Sequence, residues 1–245
     1  MKAGVDITVI INFHREARLA QATIASVLAA IASAERHNLV VELLCILDNS
    51  DSLTKLIVGR LAISARILTV SFGNLAASRN FATESSSGKY LAFIDGDDLW
   101  GSEWLCAAYS LACNFAGEQV IIHPKLNVYF GRGLVPYCQV HPDMRYEKIN
   151  IFDIAVANRW TALSFALRDT YCKHKYHRSI PHEGFGYEDW SWNYNTIRSG
   201  FKHITAEQGV HFIRKKRFGS MSEEANLRLA LPQFSERTSN QNVGK

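Results

Sequence analysis

Three carboxylates fall within four residues at Asp95-Gly96-Asp97-Asp98. They follow Lys89–Ile94, an apolar run that reads as a buried strand. Carboxylates this close repel one another unless a cation sits among them. Such oxygen donors suit Mg²⁺ or Mn²⁺, which would also take oxygens from a diphosphate. Gly96 lets the backbone turn tightly and brings the side chains together. The plainer alternative is a solvated acidic turn with Asp98 capping the next helix. The position favours a site, because ligands of open parallel sheets bind beyond the carboxyl ends of the strands. Asp48 ends an earlier strand in the same way.

A second acidic pair, Glu188-Asp189, lies in the run Gly184-Phe185-Gly186-Tyr187-Glu188-Asp189-Trp190-Ser191-Trp192. Trp190, Tyr194 and Ile197 recur at helical spacing, so a helix is expected over Tyr187–Ser199 with both acids in its first turn. The helix dipole favours ionised carboxylates there, which suits a general base. The glycines and aromatic residues suggest a loop lining a sugar-sized pocket; the alternative is a helix start with favourable charges.

The elements that must position these groups alternate in type. Ile7–Phe13, Val40–Leu47, Arg66–Phe72 and Lys89–Ile94 read as strands. Between them, Glu16–His37, Ser52–Leu61 and Ala76–Ser86 read as helices. Such repeats imply a parallel sheet with right-handed crossovers. After Trp100 the pattern becomes irregular. Helices are expected at Ser102–Phe115 and Tyr146–Asn158. Strands are expected at Gln119–Ile122, Lys125–Phe130, Leu134–Val140 and Val210–Arg214, and a helix at Glu223–Leu231.

The 245 residues suit one α/β domain, and 47% apolar with 20% charged residues is a globular balance. A net charge of +4 does not imply nucleic-acid binding. Five cysteines without a Cys-x-x-Cys pair argue against a disulfide scaffold or structural zinc, and fit a reducing compartment. Met1–Asp6 does not read as a signal peptide. The apolar stretch Ile24–Ala34 is shorter than the roughly 20 residues a bilayer span needs. A cytoplasmic protein is expected, with peripheral attachment at the inner face of the membrane left open.

Read in order, these runs resemble the family 2 glycosyltransferases of the GT-A fold, from about Ile7 to Ser222. The carriers are Asn12-Phe13-His14-Arg15-Glu16, Asp48-Asn49-Ser50-Asp51 and Gly73-Asn74-Leu75-Ala76-Ala77-Ser78-Arg79-Asn80. Lys89–Trp100, Gly186–Trp190, and His211-Phe212-Ile213-Arg214 followed by Gly219-Ser220-Met221-Ser222 complete the series. The resemblance implies a Rossmann-like mixed sheet. Residues 1–100 would form a mainly parallel nucleotide-sugar-binding half and 101–222 an irregular acceptor half, with 223–245 as a tail. It implies a metal-dependent inverting transfer of a sugar from a nucleotide-diphosphate sugar, UDP favoured, to a hydroxyl of a glycan or lipid-linked acceptor in surface polysaccharide synthesis. A larger glycan-synthesis assembly would be a further partner.

Roles follow residue by residue from the resemblance. Phe13 would lie against the base, with Glu16 nearby, and Asp48 would accept a hydrogen bond from the base. Arg79 would face the diphosphate or sugar, Asp95 the ribose or sugar, with Gly96 between the acids. Asp97 would hold the Mn²⁺ or Mg²⁺, with Asp95 and Asp98 as further ligands and His211 as a third ligand or a diphosphate contact. Asp189 would be the catalytic base, with Glu188 orienting it or binding acceptor hydroxyls. Basic residues of Arg214-Lys215-Lys216-Arg217 would close over the diphosphate or touch anionic lipid. Asn158-Arg159-Trp160-Thr161 is either an acceptor wall or core.

Two rival enzymes fit less well. A haloacid-dehalogenase-type phosphatase needs its Asp-x-Asp strand early in the chain and Thr or Val where Leu99 stands. A sugar nucleotidyltransferase needs a Gly-rich loop where Asn12–Glu16 stands. The alternative from another class is a catalytically silent carbohydrate-binding module, which would not need these carboxylates.

Overall fold

The apolar run Ile7–Phe13 is buried at every position and forms β1, the spine of the first half. The computed structural model describes residues 4–216 and 221–234. β2 (Val41–Asp48) and β4 (Tyr90–Asp95) flank β1 in parallel, and β3 (Arg66–Val70) adds to β2. The connecting helices are α1 (Leu19–Arg36), α2 (Ser52–Leu61) and α3 (Leu75–Ser85). Asp51 caps α2 by accepting from Thr54 N (2.7 Å), and Asn74 caps α3 by accepting from Ala77 N (3.2 Å). Both caps sit just past a strand end, so each helix starts where the chain leaves the sheet.

Past β4 come β5 (Leu99–Trp100), α4 (Trp104–Asn114), β6 (Val120–Phe130) and β7 (Tyr137–Val140). Then follow α5 (Ile151–Val156), β8 (Phe165–Leu167), α6 (Arg168–Lys173), β9 (Phe185–Gly186), α7 (Glu188–Arg198) and β10 (Lys202–Arg214). α8 (Met221–Leu227) and β11 (Leu231–Pro232) follow. The sheet runs β3-β2-β1-β4-β8-β6-β10-β5, with β7 beside β6; β9 and β11 form a separate pair. β8 is antiparallel to both β4 and β6, and it joins the parallel first half to the parallel β6–β10 pair. This is the mixed α/β sheet of the GT-A fold.

Several expectations change. The two strands expected at 119–130 are one. Pro124 lies within it because β10 shifts register between Ala206 and Val210, so the ladder is already broken opposite a residue without an N–H. The helix expected at Tyr146–Asn158 shrinks to Ile151–Val156, fixed by an Asn150–Asp153 capping box. β10 begins eight residues before the expected Val210, since its polar residues hid an inward-facing row. On α7 the apolar stripe Trp190, Tyr194 and Ile197 is only half-buried; Glu188, Ser191, Trp192, Asn193 and Thr196 face inward. The helix expected at Glu223–Leu231 covers Met221–Leu227 and gives way to a strand. The expected Gly219-Ser220 signpost and Arg217 lie outside the described residues. No helix among those described is long and apolar enough to cross a membrane.

The inward row belongs to a buried histidine ladder that supports the second half of the sheet. Leu163 O only accepts, so His123 Nδ1 donates to it (3.2 Å). His123 Nε2 then accepts from His203 Nδ1 (2.9 Å), and His203 Nε2 accepts from the Thr196 hydroxyl (3.0 Å). His141 Nδ1 donates to Pro124 O (2.8 Å), and its Nε2 accepts from Thr161 N (3.1 Å). Trp160 stacks on His123 and is core, not an acceptor wall. Burial pushes His123 well down, and pushes His141 and His203 down to about 3. Their stabilising contribution is therefore complete above the unfolded value near 6.5 and is lost as pH falls toward 3. Imidazole ¹⁵N spectra at pH 5.5 should show all three as neutral Nδ1–H tautomers. A charged signal from any of them would contradict the ladder.

Candidate active site

The carboxyl ends of β1, β2 and β3 surround a hollow of about 350 Å³, lined by His14, Arg15, Asn49, Ser50, Lys55, Thr69, Val70 and Ser71. Asp48 lies beside it with its oxygens engaged. Oδ1 accepts from Gly73 N (2.9 Å), and Oδ2 accepts from Asn74 N (3.2 Å) and the Ser78 hydroxyl (2.7 Å). Asp48 thus anchors the turn into α3. Phe13, expected against a base, is 1% exposed. Its ring lies under Gly96, where an added Cβ would stand 2.5 Å from Phe13 Cδ1. The ring is thus covered in this arrangement, and the contact explains why only glycine fits at 96. Glu16 accepts from His14 N (2.6 Å), and burial raises its carboxyl above the ordinary range despite the nearby Lys216.

Arg79 is fully buried, so it cannot meet a diphosphate in this arrangement. Its guanidinium donates to Asp95 Oδ1 and to Glu188 Oε1, both at 3.0 Å. The Tyr176 ring lies 5.3 Å away. Its charge is held firmly, because two carboxylates outweigh the desolvation that would discharge it. Through Arg79 the end of β4 is joined to the start of α7, bringing together two acidic motifs that lie far apart in sequence.

Asp97 and Asp98 have other partners. Asp97 Oδ2 meets Lys216 Nζ at 2.9 Å, and Arg214 Nε donates to Asp97 O (3.0 Å). Asp98 Oδ1 accepts from Arg214 N (2.7 Å), and Oδ2 lies 3.1 Å from His211 Nε2. Asp98 therefore pins β10 and does not cap a helix; α4 starts only at Trp104, with Glu103 at its N-cap. Burial, then the Asp95 charge, pushes Asp98 up to about 8. Burial and Asp98 raise Asp97 as well. Burial pushes His211 down to about 3, so its ring is neutral, and among the described residues its Nδ1 has no partner.

The metal set expected from Asp95, Asp97, Asp98 and His211 does not converge. Asp95 is turned to Arg79, Asp97 to Lys216, and Asp98 to His211 and Arg214. Among the described residues no three His, Cys, Asp or Glu side chains are placed to share an ion. As arranged, these residues do not fit a Mn²⁺ or Mg²⁺; the cation beside Asp97 is the ammonium of Lys216.

Asp189 is half-buried at the start of α7. Its Oδ2 accepts from Asn158 Nδ2 (3.1 Å) and Oδ1 from Trp190 N (2.8 Å). Asn193 Nδ2 donates to Asn158 Oδ1 (2.9 Å), which fixes which end of the Asn158 amide meets the carboxylate. Burial, then the neighbouring Glu188 charge, pushes Asp189 up to about 7, while Arg79 pulls the other way. Asn193 and Lys55 carried no sequence signal, because isolated polar residues on a helix are ordinary. Asn158 was flagged only with its neighbours.

The family model for Glycosyl transferase family 2 matches residues 8–160, more than half of the chain. The chain belongs to glycosyl transferase family 2. This glycosyltransferase shares its fold with solved structures of S. aureus TarS. One TarS structure superposes with a TM-score of 0.59 at 15% identity, covering 86% of this chain and 37% of that one. TarS 1–349 in complex with UDP-GlcNAc gives 0.58 at 15% identity, covering 89% and 61%. TarS 1–349 in complex with UDP gives 0.55 at 15% identity, covering 86% and 61%. The glycosyltransferase thus spans roughly a third to three-fifths of those TarS chains. Comparison with curated protein sequences gave no match.

The Arg79 bridge makes a direct prediction. Arg79→Met leaves the buried Glu188 and the partly exposed Asp95 without their shared cation and should cost about 3 kcal/mol in urea unfolding. Arg79→Lys should recover only part of this, because an ammonium lacks the planar fork that spans both carboxylates.

Proposed function

We propose that this enzyme transfers a sugar from a UDP-sugar to an acceptor hydroxyl with inversion, and that Asp189 is the base. The observation that carries the reading is the Asp95–Arg79–Glu188 bridge. It sets the pair Glu188-Asp189 against the strand end where a donor sugar would lie. Support for UDP comes from the TarS complexes, whose partners are UDP and UDP-GlcNAc. The hollow at β1–β3 would take the nucleoside. With Asp48 committed to its own loop, Asn49, Ser50 and Ser71 are the polar groups that would read the base.

In this reading the half-buried Asp189 accepts the acceptor's proton as that oxygen attacks the anomeric carbon. Asn158 orients its Oδ2, and Glu188 keeps its own charge turned to Arg79. A single displacement inverts the configuration, so no covalent intermediate is required. Lys216, beside Asp97, supplies positive charge toward the leaving diphosphate. The reading takes no step through a divalent metal, because the acidic loop already faces protein donors. A glycan or lipid-linked acceptor, in surface polysaccharide synthesis at the cytoplasmic face of a membrane, is the setting the family suggests.

Asp189→Asn should keep UDP affinity and lower transfer by at least about 10²-fold, the range of a lost general base. Protonation of Asp189 removes the base, so kcat/KM should rise with pH through about 7 in the wild type. Retained transfer in Asp189→Asn would refute the assignment.

UDP should raise the melting temperature in EDTA, by mass action on the folded state. Lys216→Ala should shrink that rise. A rise that appears only with added Mn²⁺ would show that an ion takes the place of Lys216 at Asp97.

A further inference from the structure

The Glu188-Asp189 pair stands on a segment with little structure of its own. It is preceded by a single 3-10 turn at Pro181–Glu183, and α7 starts without a side-chain cap. Tyr187, just before the pair, has φ +55°. A residue with a Cβ stays in that left-handed region only when its surroundings hold it there.

The surroundings come from residues 224–234. Leu231 N donates to Gly184 O (2.8 Å), and Leu231 and Pro232 of β11 lie opposite Phe185 and Gly186 of β9. The Tyr187 hydroxyl donates to Asn226 Oδ1. Gln233 N donates to the Ser191 hydroxyl (2.9 Å), which itself donates to Tyr187 O (3.1 Å). Ala225 and Ala230 close on Gly186, where an added Cβ would lie 3.0 and 3.2 Å from their methyl groups. Phe234 stacks on Tyr194 at 3.9 Å. The segment therefore grips the chain on both sides of the acidic pair, and none of these contacts involves a donor-site residue.

We infer that residues 224–234 are a strap that holds Tyr187 in its left-handed conformation and so keeps Asp189 aimed. Asn226 is a positioning residue that acts through the Tyr187 hydroxyl. The inference rests on the reading of Asp189 as the base. It assigns residues 224–234 to the catalytic half, so the domain does not end at 222.

The test combines turnover, affinity and exchange on the full chain. Turnover is read as UDP release from UDP-glucose, UDP-galactose and UDP-GlcNAc. Asn226→Ala should lower kcat at least ten-fold, leave UDP affinity within two-fold by calorimetry, and speed hydrogen exchange across residues 184–192. Tyr187→Phe should reproduce this, and the double variant should lose no more than either single one. Asn226→Asp, whose carboxylate still accepts from Tyr187, should restore turnover and protection. Unchanged exchange at 184–192 in Asn226→Ala would overturn the strap, as would a kcat loss matched by an equal loss of UDP affinity. Wild-type turnover in Asp189→Asn would instead overturn the base reading beneath it, and exchange alone would then judge the strap.

Discussion

A guanidinium without solvent contact is tolerable only if its charge is answered in place, and Arg79 is answered twice. Asp95 and Glu188 each accept at 3.0 Å from separate nitrogens of the planar fork. The three groups come from α3, the end of β4 and the start of α7. Moving any one of these elements away would take a partner from the buried guanidinium. The end of β4 and the start of α7 are thus locked through one side chain. The rest of the site takes its geometry from that lock.

Around it, crowding and burial divide the acidic groups by role. Asp98 is pushed up and spends its oxygens on β10. Asp48 spends its oxygens on the turn into α3. Asp189 keeps one oxygen on Asn158 and one on its neighbour's backbone, and its environment moves it to about 7, where a base can work at neutral pH. Chemically similar residues thus differ in charge and partners according to which donors face them.

The match to glycosyl transferase family 2 ends at residue 160, whereas the acidic pair lies at 188–189 and the strap beyond it. The first half carries most of that match. The second half is built on local solutions: a histidine ladder that packs Trp160 into the core, a ladder break that admits Pro124, and a C-terminal segment folded back on α7. The fold likeness to TarS at 15% identity fits this division. The sheet persists, while the side chains around it differ.

The sequence by itself determined the parallel half. Buried strands ending in Asp48 and Asp95, and the caps Asp51 and Asn74, are local signals written in periodicity and in residues adjacent along the chain. Both acidic motifs were legible for the same reason. What only the tertiary structure decided was how those groups are used. Arg79 turned inward because carboxylates 16 and 109 positions away meet it. Phe13 went under Gly96, Asp98 turned to His211, and Lys216 took the place beside Asp97. Each of these depends on a partner remote in sequence, and charge pairing across a fold leaves no periodic trace. β10 was hidden for a related reason: its inward histidines read as polar until the ladder that satisfies them is in place.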